Sequence, residues 1–480
     1  MDTGENTAEH TAENTVDELG EDVDVVVIGA GPVGENAAAR AVRGGMRTVL
    51  VEHERLGGEC SYWACVPSKA LLRPGNAAAA ARRVPGVRCD GELDEHAVFA
   101  WRDKRVSRWD DGGQVDWAEG AGITVVRGRA RLSGQREVTV DGGPVLRPTH
   151  AVVVCTGSVP VTPDVEGLAD VPVWTSRDAT SASAVPESLA VLGGGVVGVE
   201  MAQAWARLGA SVEIIARGER LLPRMPAFAG EAVAEALRAD GVRVRLGASA
   251  RRVSADGGGV RVDLDDGESV TAQRLLVATG RKPATGDLGL DRVGLTPGRA
   301  LTVDDTGLVA DVPGGWLYAA GDVTGRALVT HQGKYAARVV GDVVAARARG
   351  EEVRAEAWSH YTATADHHAV TQVVFTDPEV ASVGLVEADK PSHRVVDRDI
   401  DVAGASLHAD GYEGRVRLVV DTERQVVVGA TFVGQDVAEL LHAATVAIVG
   451  EVPLRRLWHA VPAFPTVSEV WLRLLEDCGL

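Results

Sequence analysis

Two stretches of this chain share one pattern: a short apolar strand, a glycine-rich turn, an alanine-rich helix and a second strand. Together they predict an α/β fold with two Rossmann-like dinucleotide-binding domains. The first turn is Gly29-Ala30-Gly31-Pro32-Val33-Gly34, preceded by Asp24–Ile28; the second is Gly193-Gly194-Gly195-Val196-Val197-Gly198, preceded by Ser188–Leu192. The length of 480 residues agrees, because it exceeds what one core organises and calls for two to four domains.

In the first stretch the β-branched run up to Ile28 reads as a buried parallel strand. A helix follows through Arg43, and Arg47–Glu52 forms a second strand ending in an acid. That context makes G-x-G-x-x-G informative rather than a mere tight turn. Gly29, Gly31, Pro32 and Gly34 let the backbone approach a pyrophosphate at the helix N-terminus, and Glu52 is placed to accept from a ribose hydroxyl.

The second stretch repeats the logic with Gly193, Gly195 and Gly198, a helix through Leu208 and the strand Ser211–Ile215. Two such units imply two dinucleotides, and flavin plus nicotinamide is the economical pairing. Where a reader of the 2′-hydroxyl places Asp or Glu, this chain has Ala216, then Arg217 and Arg220. Loss of the carboxylate removes repulsion against a 2′-phosphate, and guanidinium groups pair with it, so NADPH is favoured over NADH. The plain alternative is that Arg217 is a solvated surface residue.

Between the two lies Gly57-Gly58-Glu59-Cys60-Ser61-Tyr62-Trp63-Ala64-Cys65-Val66-Pro67-Ser68-Lys69. Thiols this close can form an intramolecular disulfide, a two-electron carrier that needs a reductant nearby, and the flavin site supplies one. The five cysteines are too few and too uneven for a secreted disulfide scaffold, which predicts a cytoplasmic protein with one catalytic pair. Cys89 and Cys155 read as inert packing residues. No apolar run suits a membrane span, and a formal charge of −19 argues against nucleic acid and anionic membranes. Nine of those charges fall in residues 1–24, leaving about −10 for the folded body. Residues 1–21 are expected to form a disordered acidic tail.

With both turns and the cysteine pair in view, the chain from about residue 22 onward resembles the class I pyridine nucleotide–disulfide oxidoreductases. That family includes lipoamide dehydrogenase, glutathione reductase and mercuric reductase. Further matches are Val152–Ser158, with Thr156 and Gly157, and its echo Leu275–Pro283, with Gly280. Tyr318-Ala319-Ala320-Gly321-Asp322 is similar to the family's second flavin motif, and Phe375–Gly384 to the start of its dimerisation domain. The resemblance implies FAD and NADPH as cofactors, Gly58, Gly321 and Asp322 among the cofactor-binding residues, and a homodimer whose active sites combine two subunits. It implies an FAD domain over 22–160, an NAD(P)H domain over 161–283, a return to the flavin fold over 284–356 and an α+β dimerisation domain over 357–480. Cys65 would stack on the flavin and Cys60 would be the interchange thiol. Lys69 would pair with Glu200 beside the flavin, and Lys69, one turn beyond Cys65, is a candidate cation to depress its pKa.

The departures concern the acceptor. The family's usual C-x-N-x-G-C run has Thr before it, whereas here Glu59, Tyr62 and Ala64 stand at the changed positions. Tyr62 and Trp63 either shape an acceptor site or pack in the core. The family's C-terminal H-P-T-x-x-E becomes Phe464-Pro465-Thr466-Val467-Ser468-Glu469, so Glu469 remains but the proton-transferring histidine is a phenyl ring. His459 is either a substitute or an ordinary histidine. Mercuric reductases resemble the chain in a non-histidine aromatic at that position and an Ala-Arg pair like Ala216-Arg217. They differ in ending in Cys-Cys, where only Cys478 stands here, and in an N-terminal metal-binding C-x-x-C domain that this chain lacks. Cys478 is either a relay or a terminal thiol without a role. No resident metal is expected. The leading expectation is an NADPH-dependent FAD oxidoreductase passing electrons through Cys60–Cys65 to a soft metal ion or unusual disulfide. The alternatives are a quinone or dye reductase acting at the flavin, then lipoamide dehydrogenase or a slow redox sensor.

Overall fold

The computed structural model describes residues 23–89 and 92–480; the acidic segment expected at 1–21 lies outside them. The chain divides into two compact units.

Among the described residues, the first unit takes 23–58, Asp111–Ser158 and Pro283–Ala363. Its centre is a five-stranded parallel sheet in the order Leu317–Ala319, Ala151–Val154, Val25–Ile28, Thr48–Glu52, Thr124–Arg127. Side chains alternate between its faces. Val25, Val27 and Leu50 pack with Ala37 and Ala41 of helix Pro32–Arg43 and with Ala337 and Val340 of helix Thr330–Ala348. Val26, Ile28 and Val49 face the other way, onto Leu132 and Val138 of an antiparallel three-stranded layer. Both faces are therefore dry, which is why the strands read as continuous apolar runs. The two helices approach closely at Gly341, where a side chain would collide with Ala37 O.

The second unit takes Glu59–Asp110, Val159–Lys282 and Thr364–Leu480. It holds a four-stranded parallel sheet in the order Arg243–Leu246, Ser211–Ala216, Ser188–Leu192, Arg274–Val277. Val191 and Ile214 pack onto helices Val196–Arg207 and Ala227–Ala239, while Ala190 and Ile215 meet an antiparallel layer formed by Ala250–Asp256, Gly259–Leu264 and Ser269–Ala272. The C-terminal part is a five-stranded antiparallel sheet, Thr371–Val374, Glu379–Gly384, Val426–Gly434, Arg415–Asp421 and His393–Asp399. Helices Leu441–Val449 and Val470–Asp477 cover it through Leu441, Ala444, Val470 and Leu474. The predicted mixture of two dinucleotide-type α/β layers and a C-terminal α+β domain is what forms. No helix among the described residues is long and apolar enough to cross a membrane.

Candidate functional site

In the first unit, strand Val25–Ile28 runs into a turn whose three glycines do different things. Gly29 has φ +97°, and a Cβ there would lie 2.7 Å from Cys155 O. A Cβ on Gly34 would overlap Gly29 O, while one on Gly31 would meet nothing within 4 Å. Gly31 caps helix Pro32–Arg43, with Pro32 in its first turn, so an open patch of backbone lies at the positive end of a helix. Gly58, φ +53°, sits with its Cβ direction against Gly31 Cα at 2.8 Å.

Glu52 ends the neighbouring strand, buried, and its two oxygens accept from Ala30 N and Glu54 N, both at 2.8 Å. Burial alone would raise this carboxyl, but hydrogen bonds from His53, Ala30 and Glu54 outweigh it and hold the group below its usual range. Asp322, after the positive-φ Gly321, accepts from Ser158 Oγ at 2.6 Å. Thr156 donates to Ala284 O at 2.9 Å, and Gly157 is open at φ +71°. An open helix terminus, a carboxylate at the strand end and a second acid near the turn fit a flavin dinucleotide. The Cys155 thiol is buried, and that burial pushes it up to about 12, which suits an inert packing residue.

Sequence reasoning missed Glu35. It follows the third glycine, is buried, leaves Oε1 without a partner among the described residues, and is pushed up to about 7 by burial, with Lys334 opposing and Glu52 adding to the rise. The missed signal was an acid immediately after a glycine fingerprint.

The second unit reproduces the turn. A Cβ on Gly193 (φ +120°) would collide with Ala278 O and one on Gly198 with Gly193 O, while Gly195 is open and caps helix Val196–Arg207. Gly280 is likewise open. Strand Ser211–Ala216 ends in a buried alanine, and Arg217 and Arg220 are exposed beyond it. Arg220 donates to Pro223 O at 3.2 Å.

The cysteine segment lies mostly in the second unit. Cys60 is in the short helix Gly58–Tyr62, and Cys65 is the first residue of the 18-residue helix Cys65–Arg82, so its sulfur is carried at a helix N-terminus. Lys69 Nζ lies 2.6 Å from Glu200 Oε2, and Glu200 Oε1 accepts from Phe375 N at 2.9 Å. The Lys69 ammonium also stands 4.8 Å from the centre of the Phe375 ring. A cavity of about 550 Å³ opens here, lined by Cys65, Lys69, Arg73, Phe375 and Asp377 among others. Tyr62 and Trp63 are buried with Val106 and Trp109, as the packing alternative expects.

Near the C-terminus Phe464 is 75% exposed and His459 is exposed. Glu469 Oε2 is buried without a hydrogen-bond partner among the described residues. Cys478 packs against the C-terminal core and burial pushes its thiol up, which suits a packing residue better than a relay. Among the described residues no group of three or more His, Cys, Asp or Glu is placed to hold a metal ion.

Comparison with known proteins gives the same picture. Residues 23–350 match the model of the pyridine nucleotide-disulphide oxidoreductases, and residues 370–474 match their dimerisation domain. A dihydrolipoyl dehydrogenase of Haloferax volcanii is 32% identical over 480 residues, covering 96% of this chain and 97% of its own. A mercuric reductase of Shigella flexneri is 35% identical over 470 residues, covering 93% and 78%. Among solved structures, the HOCl-induced flavoprotein disulfide reductase RclA of Escherichia coli superposes with a TM-score of 0.80 at 25% identity, covering 94% of this chain and 99% of that one.

Proposed function

The chain belongs to the pyridine nucleotide–disulphide oxidoreductases, FAD-dependent enzymes with a dimerisation domain, and from that premise we propose that it carries electrons from NADPH to an acceptor other than an ordinary dithiol–disulfide couple. The acceptor class is a soft metal ion or an unusual disulfide, met at the Cys60–Cys65 pair of a homodimer. Bound FAD supplies the two-electron relay between the nicotinamide and the cysteines. The first turn, Glu52 and Asp322 hold it; Gly193, Gly195, Gly198, Arg217 and Gly280 hold the nicotinamide dinucleotide.

The remaining residues divide the work by their chemistry. Cys65 at its helix N-terminus is favoured as thiolate by the aligned backbone N–H groups. The Lys69–Glu200 pair, tied to Phe375 N, fixes a positive charge one turn further on. Cys60 is the thiol that meets the acceptor. One observation carries the choice of acceptor: the segment Phe464–Glu469 presents an exposed phenyl ring and a glutamate with an unpartnered oxygen. A phenyl ring moves no proton, so exchange with a dithiol loses its acid–base partner. A soft metal ion bound by two thiolates needs none.

The same observation favours a second reading, direct reduction of a quinone or dye at the flavin, which also needs no base there. Anaerobic titration and Cys65→Ser decide between them. Uptake of four electrons per FAD, with metal-ion or disulfide reduction abolished in Cys65→Ser, supports the cysteine route. Uptake of two, with quinone reduction surviving the substitution, overturns it.

A further inference from the structure

The helix that starts at the second glycine turn turns one polar face inward. Glu200, Gln203 and Arg207 recur at i, i+3 and i+7 of helix Val196–Arg207, and all three hydrogen-bond to the segment Phe375–Asp377. Gln203 is completely buried, and its amide pairs with both backbone groups of Asp377. Asp377 N donates to Gln203 Oε1 at 2.7 Å, and Gln203 Nε2 donates to Asp377 O at 2.9 Å. The other Nε2 hydrogen goes to Asp240 Oδ2 at 2.9 Å, so both amide donors are used. The Asp377 carboxylate takes both arms of the Arg83 guanidinium, at 2.9 and 3.0 Å, and Arg207 Nη2 at 3.0 Å. Arg207 Nη1 also donates to Asn76 Oδ1 at 2.8 Å, and Asn76 Nδ2 to Phe375 O at 3.1 Å. Residue 75 is glycine, and a Cβ there would lie 2.8 Å from Arg207 Cδ, so helix Cys65–Arg82 can come this close. What the tied segment carries is Phe375. Its N–H holds Glu200 Oε1 at 2.9 Å, and its ring centre is 4.8 Å from the Lys69 ammonium, itself 2.6 Å from Glu200 Oε2.

Resting on the assignment of the Lys69–Glu200 pair to the flavin side of the site, we propose that Gln203 is a positioning residue for that pair. Its amide fixes the backbone of Asp377, and with it the Phe375 peptide, whose N–H occupies Glu200 Oε1. Oε2 is then the oxygen left for Lys69, and the ammonium is held in one place rather than in the several that its four-carbon stem allows. A cation fixed in advance does more for the negative charge that arrives with a hydride than one that must swing into position. The same helix begins at the open Gly195, so the turn and the residue that steadies Lys69 share one rod.

The test follows the lysines. The chain has five, Lys69, Lys104, Lys282, Lys334 and Lys390, few enough to be followed one by one. Holoenzyme is treated with a limiting amount of an N-hydroxysuccinimide acetate, and peptide mass spectrometry gives acetylation at Lys69 relative to the exposed Lys104 and Lys390. Gln203→Met removes the amide but keeps the bulk, and should raise that ratio about fivefold, the scale of one lost hydrogen bond. Glu200→Gln should raise it at least as much, and the double variant should match Glu200→Gln alone, because both changes act through one carboxylate. Gln203→Asn, drawn back by one methylene, should give a smaller rise of the same sign, and it serves if Gln203→Met folds poorly. In stopped-flow reduction by NADPH, Gln203→Met should slow the limiting rate of flavin bleaching about fivefold and leave the half-saturating concentration within about twofold. Electron counting judges the wider functional reading, and the lysine ratio does not depend on it. An unchanged ratio, additive effects in the double variant, or a raised half-saturation at an unchanged limiting rate would overturn the proposal.

Discussion

The two glycine turns have the same skeleton and are braced by different chemistry. In both, the first glycine is pressed against a carbonyl of the adjacent strand's loop, the last against the first glycine's own carbonyl, and the middle one is open. The difference lies in the strand beside them. Glu52 reaches back to hold Ala30 N in the first unit. The second has Ala216 at that strand end, and its turn is braced by Leu221 and Ala216 crowding Gly194, with Leu222 N donating to Gly194 O at 2.8 Å. Helix starts differ too: Glu35 follows the last glycine of one turn and the fully buried Val199 follows that of the other. Steric demands conserve the turn within the molecule, while the polar groups around it are free to specialise toward different dinucleotides.

The sharpest way to break this comparison is to fill the two open positions. Gly31→Ala and Gly195→Ala meet no protein atom within 4 Å, so both should fold. Gly31→Ala should purify colourless, with FAD affinity down about 100-fold or more, ~2.7 kcal/mol. Gly195→Ala should stay yellow and reducible by dithionite, but with a KM for NADPH raised by a comparable factor. Flavin loading and steady-state kinetics read both. If each variant loses both nucleotides, the division of labour between the turns is wrong.

The contrast between Glu35 and Val199 predicts a pH effect confined to the first unit. Burial raises Glu35 from 4.5 to about 7, so the folded state binds its proton more tightly than the unfolded chain does. Its contribution is intact below pH 4.5, falls as pH rises toward 7, and above that is a constant cost of up to about 3 kcal/mol. Glu35→Gln should therefore match the parent near pH 4.5 and be more stable at pH 8, by unfolding of the FAD-free protein. An equal offset at both pH values would show that the carboxyl does not titrate across that range.

These features were legible in the sequence to unequal degrees, for physical reasons. The turns and flanking strands are local: glycine spacing and β-branched runs announce them, and the strands at Val25–Ile28 and Ser188–Leu192 form where the pattern puts them. The Lys69–Glu200 contact spans 131 positions and was readable only through the family resemblance. The Glu59–Arg177 ion pair, 118 positions apart, carried no such hint, because the helix bearing Arg177 is six residues long and has no amphipathic period to read. Glu35 was passed over because an acid in the first turn of a helix is ordinary; its burial, and the nearby charges of Lys334 and Glu52, 299 and 17 positions away, come from tertiary packing. Local geometry was visible, and charges paired by tertiary packing were not.

The smallest expected effect bears on the strand ends. If Glu52 and Arg217 are the readers of two different riboses, exchanging their chemistry should exchange preference. Arg217 is exposed beside a buried alanine, so Arg217→Ala removes a charge without disturbing the core. It should lower kcat/KM for NADPH about tenfold, ~1.4 kcal/mol, the scale of one charge-assisted hydrogen bond in a solvated site, and leave NADH nearly unchanged. Arg217→Glu adds repulsion against a 2′-phosphate and should push the ratio further toward NADH. Equal losses with both donors would mean that Arg217 supports the loop rather than reading the phosphate. An unchanged ratio would place the discrimination on Arg220 or elsewhere, and the matched strand ends would then share a position without sharing a role.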